Sequence, residues 1–226
     1  MMRIAMGQPA SKPRPVPEVP STPAASERSG DRGFVASFKF ALEGLVETAA
    51  TQRNMKVHVV SAVLVGLVGS GIPLGLAEKV TLIFCVMLVF FAETLNTALE
   101  ALVDLYTEKY HLQALATKNA AAGGVLVLAA GTVVIFAALL VHNATVLASN
   151  IEAIVRQLAL GTPLAILTGL LLWRRPRAIW IDHTMFVAGL GLLVALGLKS
   201  TSEVFTALTT GVFCLSRLAA RYRARH

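Results

Sequence analysis

Disulfide chemistry has little to work with in this 226-residue chain, whose two cysteines, Cys85 and Cys214, sit in separate apolar runs. Isolated thiols of this kind exclude a disulfide framework and have no metal-ligand spacing, so both read as small core residues. Charge is scarce at 15% of residues, and aromatics make up only 7%. The 20 basic residues outnumber the 13 acidic ones, for a net charge of +7. No basic stretch is interleaved with aromatics, which argues against nucleic acid as a partner. Gly-rich phosphate loops of the Walker or protein-kinase kind are missing too.

What the chain does have is apolar sequence. It is 55% hydrophobic with a mean hydropathy of +0.68, and a chain of that composition buries its apolar surface in lipid. The basic excess then reads as a topology signal and as contact with lipid headgroups. Six of the nine prolines (Pro9, Pro13, Pro15, Pro17, Pro20 and Pro23) precede Gly33, so residues 1–33 are expected to form a disordered tail. That stretch has no apolar run for a signal peptide, and the first span is expected to act as its own insertion signal.

From Ser37 to Lys56, apolar residues recur at Phe38, Leu42, Leu45, Val46 and Ala49. This is one face of a surface helix, too polar to span. Six spans are expected after it: Val57–Leu76, Val80 to about Val103, Ala120–Val141, Leu158–Trp173, Met185–Leu198 and Val204–Leu218. The last two fall short of the ~20 residues a span wants. With a cytoplasmic amino terminus, the outer loops hold only Lys79, Arg156 and Lys199, a consistent positive-inside pattern. The expected class is an all-α, multi-pass integral membrane protein.

One polar stripe interrupts the grease. Glu93, Asn96, Glu100 and Asp104 lie within roughly 80° of one another on the second span, at about 100° per residue. An ionisable group at membrane depth costs about 3 kcal/mol even on the lenient insertion scale. Solvation alone suits Asp104 and even Glu100, but it suits Glu93 and Asn96 poorly, since they follow LVFFA directly. The loop beyond supplies Tyr110, His111 and Lys118. Carboxylates beside an ammonium at a lipid–water boundary are the parts that phosphoryl transfer to a lipid alcohol needs. Two other readings use the same residues: a cation-coupled transporter, and a non-catalytic membrane scaffold.

The run Ala92-Glu93-Thr94-Leu95-Asn96-Thr97-Ala98-Leu99-Glu100-Ala101-Leu102-Val103-Asp104 resembles the signature of the prokaryotic diacylglycerol kinase family, which includes the undecaprenol kinases. Ser37-Phe38, Gly44, Arg53-Asn54-Met55-Lys56-Val57-His58, Tyr110-His111 and Lys118 support the resemblance, which covers about 34–141. It implies a lipid kinase domain over 34–142, made of a surface helix and three spans, that works at the cytoplasmic face of a bacterial inner membrane. By resemblance, Glu93 is the general base and Glu100 binds the Mg²⁺ carried by ATP. Asn96, Asp104 and Asn54 line the site. Lys118, Asn119, Tyr110, His111 and Gln52 face the nucleotide. Family members look like homotrimers that share active sites between subunits. Two positions depart from the pattern, because Gln52 and Asn119 stand where acidic residues are usual, and the change puts metal preference and turnover in question. Residues 143–226 read as an extension of unknown role, with Arg174, Arg175 and Arg177 and the final arginines as headgroup anchors.

Overall fold

The computed structural model describes residues 33–107, 111–173 and 178–225. The tail expected over 1–33 lies outside the described residues apart from Gly33, and so do Tyr110 and the arginine anchor at 174–177. Among these described residues eight helices follow in order: α1 (Phe34–Thr51), α2 (Arg53–Ser70), α3 (Leu76–Tyr106), α4 (Leu112–His142), α5 (Ala144–Ser149), α6 (Ile151–Trp173), α7 (Ile179–Gly197) and α8 (Glu203–Arg223). No strand occurs among the described residues. The chain divides into two units, Met1–Lys39 and Phe40–His226. Of the first unit, 33–39 are described and form the opening turns of α1, where Phe34, Val35 and Phe38 stand exposed.

Within the second unit, α3 and α4 run as one extensive pair, while α2 packs on α6 and α8, and α6, α7 and α8 pack on one another. One apolar core joins Ala49 and Ala50 of α1, Met55 and Val63 of α2, Phe90 of α3, Leu171 of α6 and Phe213 of α8. In α4 only Val125 is fully buried; Phe136, Leu139 and Leu140 are half-buried against the core, and much of the rest of this very apolar helix is exposed. At the end of the bundle where α3 begins, Glu78 ties the turn to the helix pair. Its Oε2 accepts from the Gly75 N–H at 2.8 Å, and its Oε1 accepts from Asn143 Nδ2 at 2.6 Å.

Helix boundaries differ from the sequence expectation in instructive ways. Among the described residues five helices (α3, α4, α6, α7 and α8) are long and apolar enough to cross a membrane. The expected first span, Val57–Leu76, is not among them. Its helix is α2, which ends at Ser70 and takes Arg53, Asn54, Lys56 and His58 into its first two turns, so its 18 residues are too polar on average. The expected surface helix also breaks at Gln52, whose backbone is extended at φ −79° and ψ 127°. Thr48 and Thr51 donate back to the carbonyls of Gly44 and Glu47 just before the break, a pattern that bends helices. The spans expected from Leu158 and Met185 begin earlier, at Ile151 and Ile179, because a helix does not stop where Glu152 or Asp182 lowers the hydropathy.

Candidate functional site

Helix α3 buries one face at spacings of three and four: Leu82, Cys85, Val86, Val89 and Phe90, then Glu93 and Asn96. The polar pair therefore continues the apolar stripe in the same register. Glu93 is 1% exposed and Asn96 5%. Glu100 is half-buried and Asp104 is exposed. At 1.5 Å per residue, Glu93 stands about 26 Å from Leu76, just inside a hydrocarbon core of about 30 Å, whereas Asp104 lies well past it.

The break at Gln52 presents the first turn of α2 to this carboxylate. Amides in a first turn have no partner within their own helix and favour negative charge. The backbone of Met55, third residue of α2, interacts with the Glu93 carboxylate. Glu93 Oε2 and Asn96 Oδ1 are buried and without a hydrogen-bond partner. Buried polar atoms are rarely left in that condition, so an unpaired pair of oxygens on one face marks a place built for something else. Asn96 Nδ2 donates to Glu100 Oε1 at 3.0 Å, which links the buried carboxylate region to the half-buried one. A groove of about 260 Å³ opens onto the pair, walled by Asn54, Val57 and His58 of α2 and by Ala122, Val125, Leu126 and Ala129 of α4.

The other expected site residues are placed as follows. Lys118 Nζ bonds Asp104 Oδ1 at 2.5 Å, with the Asp104 side chain 65% exposed, so α3 and α4 are latched beyond the groove. Asn119 follows Lys118 on the outside of α4. His111 caps α4, its Nδ1 accepting from the Gln113 N–H at 3.3 Å. Gln52 sits half-buried at the helix break, its side chain making no cap bond to α2. The structure thus gathers Glu93, Asn96 and Asn54 around one groove, links Glu100 to it through Asn96, pairs Asp104 with Lys118 across α3 and α4, and leaves His111 engaged with its own helix. Two participants carried no role in the sequence reading. One is the Met55 amide, which no residue letter announces. The other is His58, whose signal was its position one turn after Asn54, on the same face. Just ahead of it, Lys56 is held below its usual ammonium range by burial and, second, by the nearby Arg223 guanidinium.

Among the described residues no three His, Cys, Asp or Glu side chains form a metal cage. Glu100 and the orphaned Asn96 oxygen are hard donors in small number. That set fits Mg²⁺, which takes one or two carboxylates and leaves its other positions to phosphate and water.

Long apolar helices, and a buried carboxylate beside an open groove at one end of the bundle, define an all-α integral membrane protein with a polar site. A family model described as prokaryotic diacylglycerol kinase matches residues 39–141. The chain belongs to that family and is a lipid kinase. It is 42% identical over 96 residues to the undecaprenol kinase of Bacillus subtilis, covering 42% of this chain and 78% of the relative. It is also 37% identical over 108 residues to the diacylglycerol kinase of Synechocystis, covering 47% of this chain and 62% of the relative. No solved structure matches the chain.

Proposed function

We propose that this protein transfers the γ-phosphoryl group of ATP to the hydroxyl of a membrane lipid alcohol, diacylglycerol or undecaprenol, at the cytoplasmic face of a bacterial plasma membrane. The observation that carries the reading is Glu93: a buried carboxylate with one oxygen unpartnered, at the rim of a groove lined on its other side by apolar α4 residues. An alcohol on an acyl chain can lie along Val125 and Leu126 and bring its hydroxyl to that oxygen. Glu93 accepts the proton as the hydroxyl oxygen bonds to the γ-phosphorus, and the bond to the bridging oxygen breaks to release ADP. Asn96 orients Glu100 through their hydrogen bond.

Mg²⁺ bound with ATP would be held by Glu100, with the Gln52 amide oxygen as a neutral second donor, and would neutralise phosphate charge. Lys118 is the cation for the phosphates. Its bond to Asp104 is a surface pair, worth at most about 1 kcal/mol, so Lys118 can exchange partners when a nucleotide arrives. Asn119, His111 and Tyr110 complete the nucleotide side by family resemblance, as does a homotrimeric assembly. The lipid kinase domain is assigned to 34–142.

Purified protein incubated with γ-labelled ATP, Mg²⁺ and a panel of lipid alcohols is expected to yield a labelled lipid. No transfer to any alcohol, with Mn²⁺ also tried, overturns the reading. Glu93→Gln is expected to lower kcat by about 100-fold or more while nucleotide binding persists, because general-base catalysis contributes on that scale.

A further inference from the structure

Four polar side chains line the groove, and their hydrogen-bonding capacity is unevenly used. Asn96 Nδ2 is engaged by Glu100 Oε1 at 3.0 Å, while Glu93 Oε2 and Asn96 Oδ1 have no partner. The floor on α3 therefore offers acceptors and no spare donor. The α4 wall is made of alanine, valine and leucine and has no polar side chain. Side-chain donors come only from α2, from Asn54 and His58, and neither has a partner among the described residues. The two differ in depth. Asn54 is exposed in the first turn of α2, whereas His58 is half-buried one turn on, about 6 Å further from the helix break at 1.5 Å per residue. Met55, Val59, Ala62 and Val63 make the buried face of α2. At about 100° per residue His58 stands about 60° from Met55, on the edge of that face. A lipid lying along Val125 and Leu126 therefore meets the imidazole, while a nucleotide arriving from the side of Asp104 and Lys118 meets Asn54 first.

We propose that His58 is a further catalytic residue, donating a ring N–H to the hydroxyl oxygen of the lipid while Glu93 accepts the hydroxyl proton. The inference rests on the lipid kinase reading with Glu93 as base, and deepens it. A hydroxyl has one proton and two lone pairs, and either neutral tautomer of an imidazole has one N–H. The proton goes to Glu93 Oε2, and one lone pair accepts from His58. The second lone pair is left to bond to the γ-phosphorus, as the bond to the bridging oxygen breaks and ADP departs with its electron pair. The imidazole thus fixes the direction of the attacking lone pair. It also offsets the negative charge that gathers on the oxygen as its proton leaves, inside a groove whose far wall has no dipole to offer.

The full chain is assayed in lipid vesicles with whichever alcohol, undecaprenol or diacylglycerol, the wild-type protein labels. His58→Ala is expected to lower kcat about tenfold, the scale of one hydrogen bond to a charge-bearing oxygen, with the KM for ATP within about twofold of wild type. An asparagine amide sits near the place of imidazole Nδ1 and a glutamine amide near that of Nε2. At least one of His58→Asn and His58→Gln is therefore expected to recover kcat to within about threefold of wild type. The same lipid lacking its hydroxyl is expected to inhibit wild type and His58→Ala equally, because it gives the imidazole nothing to bond. Wild-type kcat in His58→Ala overturns the inference, and so does failure of both amide variants to exceed it. A loss that appears in the KM for ATP, in affinity for the hydroxyl-free lipid, or in the folded fraction by thermal melting overturns it too. Each of these outcomes leaves the kinase reading standing. A wild-type protein that labels no lipid alcohol overturns that reading, and the role of His58 with it.

Discussion

Glu93 and Glu100 are two turns apart on one helix face, and burial separates their roles. The first is sealed and half unpartnered, while the second is half-buried and already bonded to Asn96. Glu100→Gln is therefore expected to raise the Mg²⁺ concentration for half-maximal nucleotide binding about tenfold, the size of one charge-assisted contact. Isothermal titration of the variant checks it. Gln52→Glu should move the same value the other way, and an unchanged titration would remove position 52 from the ligands. At this scale the sequence was highly legible. Four polar letters at helical spacing after LVFFA can be read without coordinates, since periodicity and apolar context are both local. The Met55 amide was not legible, because it depends on where a different helix begins, and every residue carries the same backbone N–H.

Helices were legible as existing and less so as bounded. Hydropathy marks where lipid contact ends, whereas hydrogen bonding carries α3 on to Tyr106 and α6 back to Ile151. The break at Gln52 was hidden inside a single amphipathic pattern, though Thr48 and Thr51 were its trace. The short α5 between Asn143 and Asn150 was not foreseen, being six residues long. The glycines of α2 gave no hint of their partner, since nothing in α2 says that α8 will lie against it. Gly69→Val puts a branched side chain into the Phe205 ring, and overpacking of this kind costs about 1–3 kcal/mol. A lower melting temperature in detergent is the expected result, with Gly44→Ala, which meets nothing within 4 Å, as the neutral control.

At the scale of the molecule, the family segment and the extension share one core. Ending the chain after His142 would bare the face of α2 that Phe205 and Thr209 cover, so the truncated protein is expected to express poorly or melt early. Orientation is tested by labelling from outside intact cells, with Cys85 and Cys214 replaced. Ala148→Cys should react with an impermeant thiol reagent and Tyr106→Cys should not. The opposite pattern would place the carboxylates away from ATP. The position of Glu93 along α3 also sorts substrates by reach. A hydroxyl set directly on the hydrocarbon tail arrives level with the carboxylate, whereas one carried on a sugar stands roughly a headgroup's height above it, toward Asp104. Glycosylated lipids of the same chain length should thus pass by this enzyme unphosphorylated, rejected by altitude and not by shape.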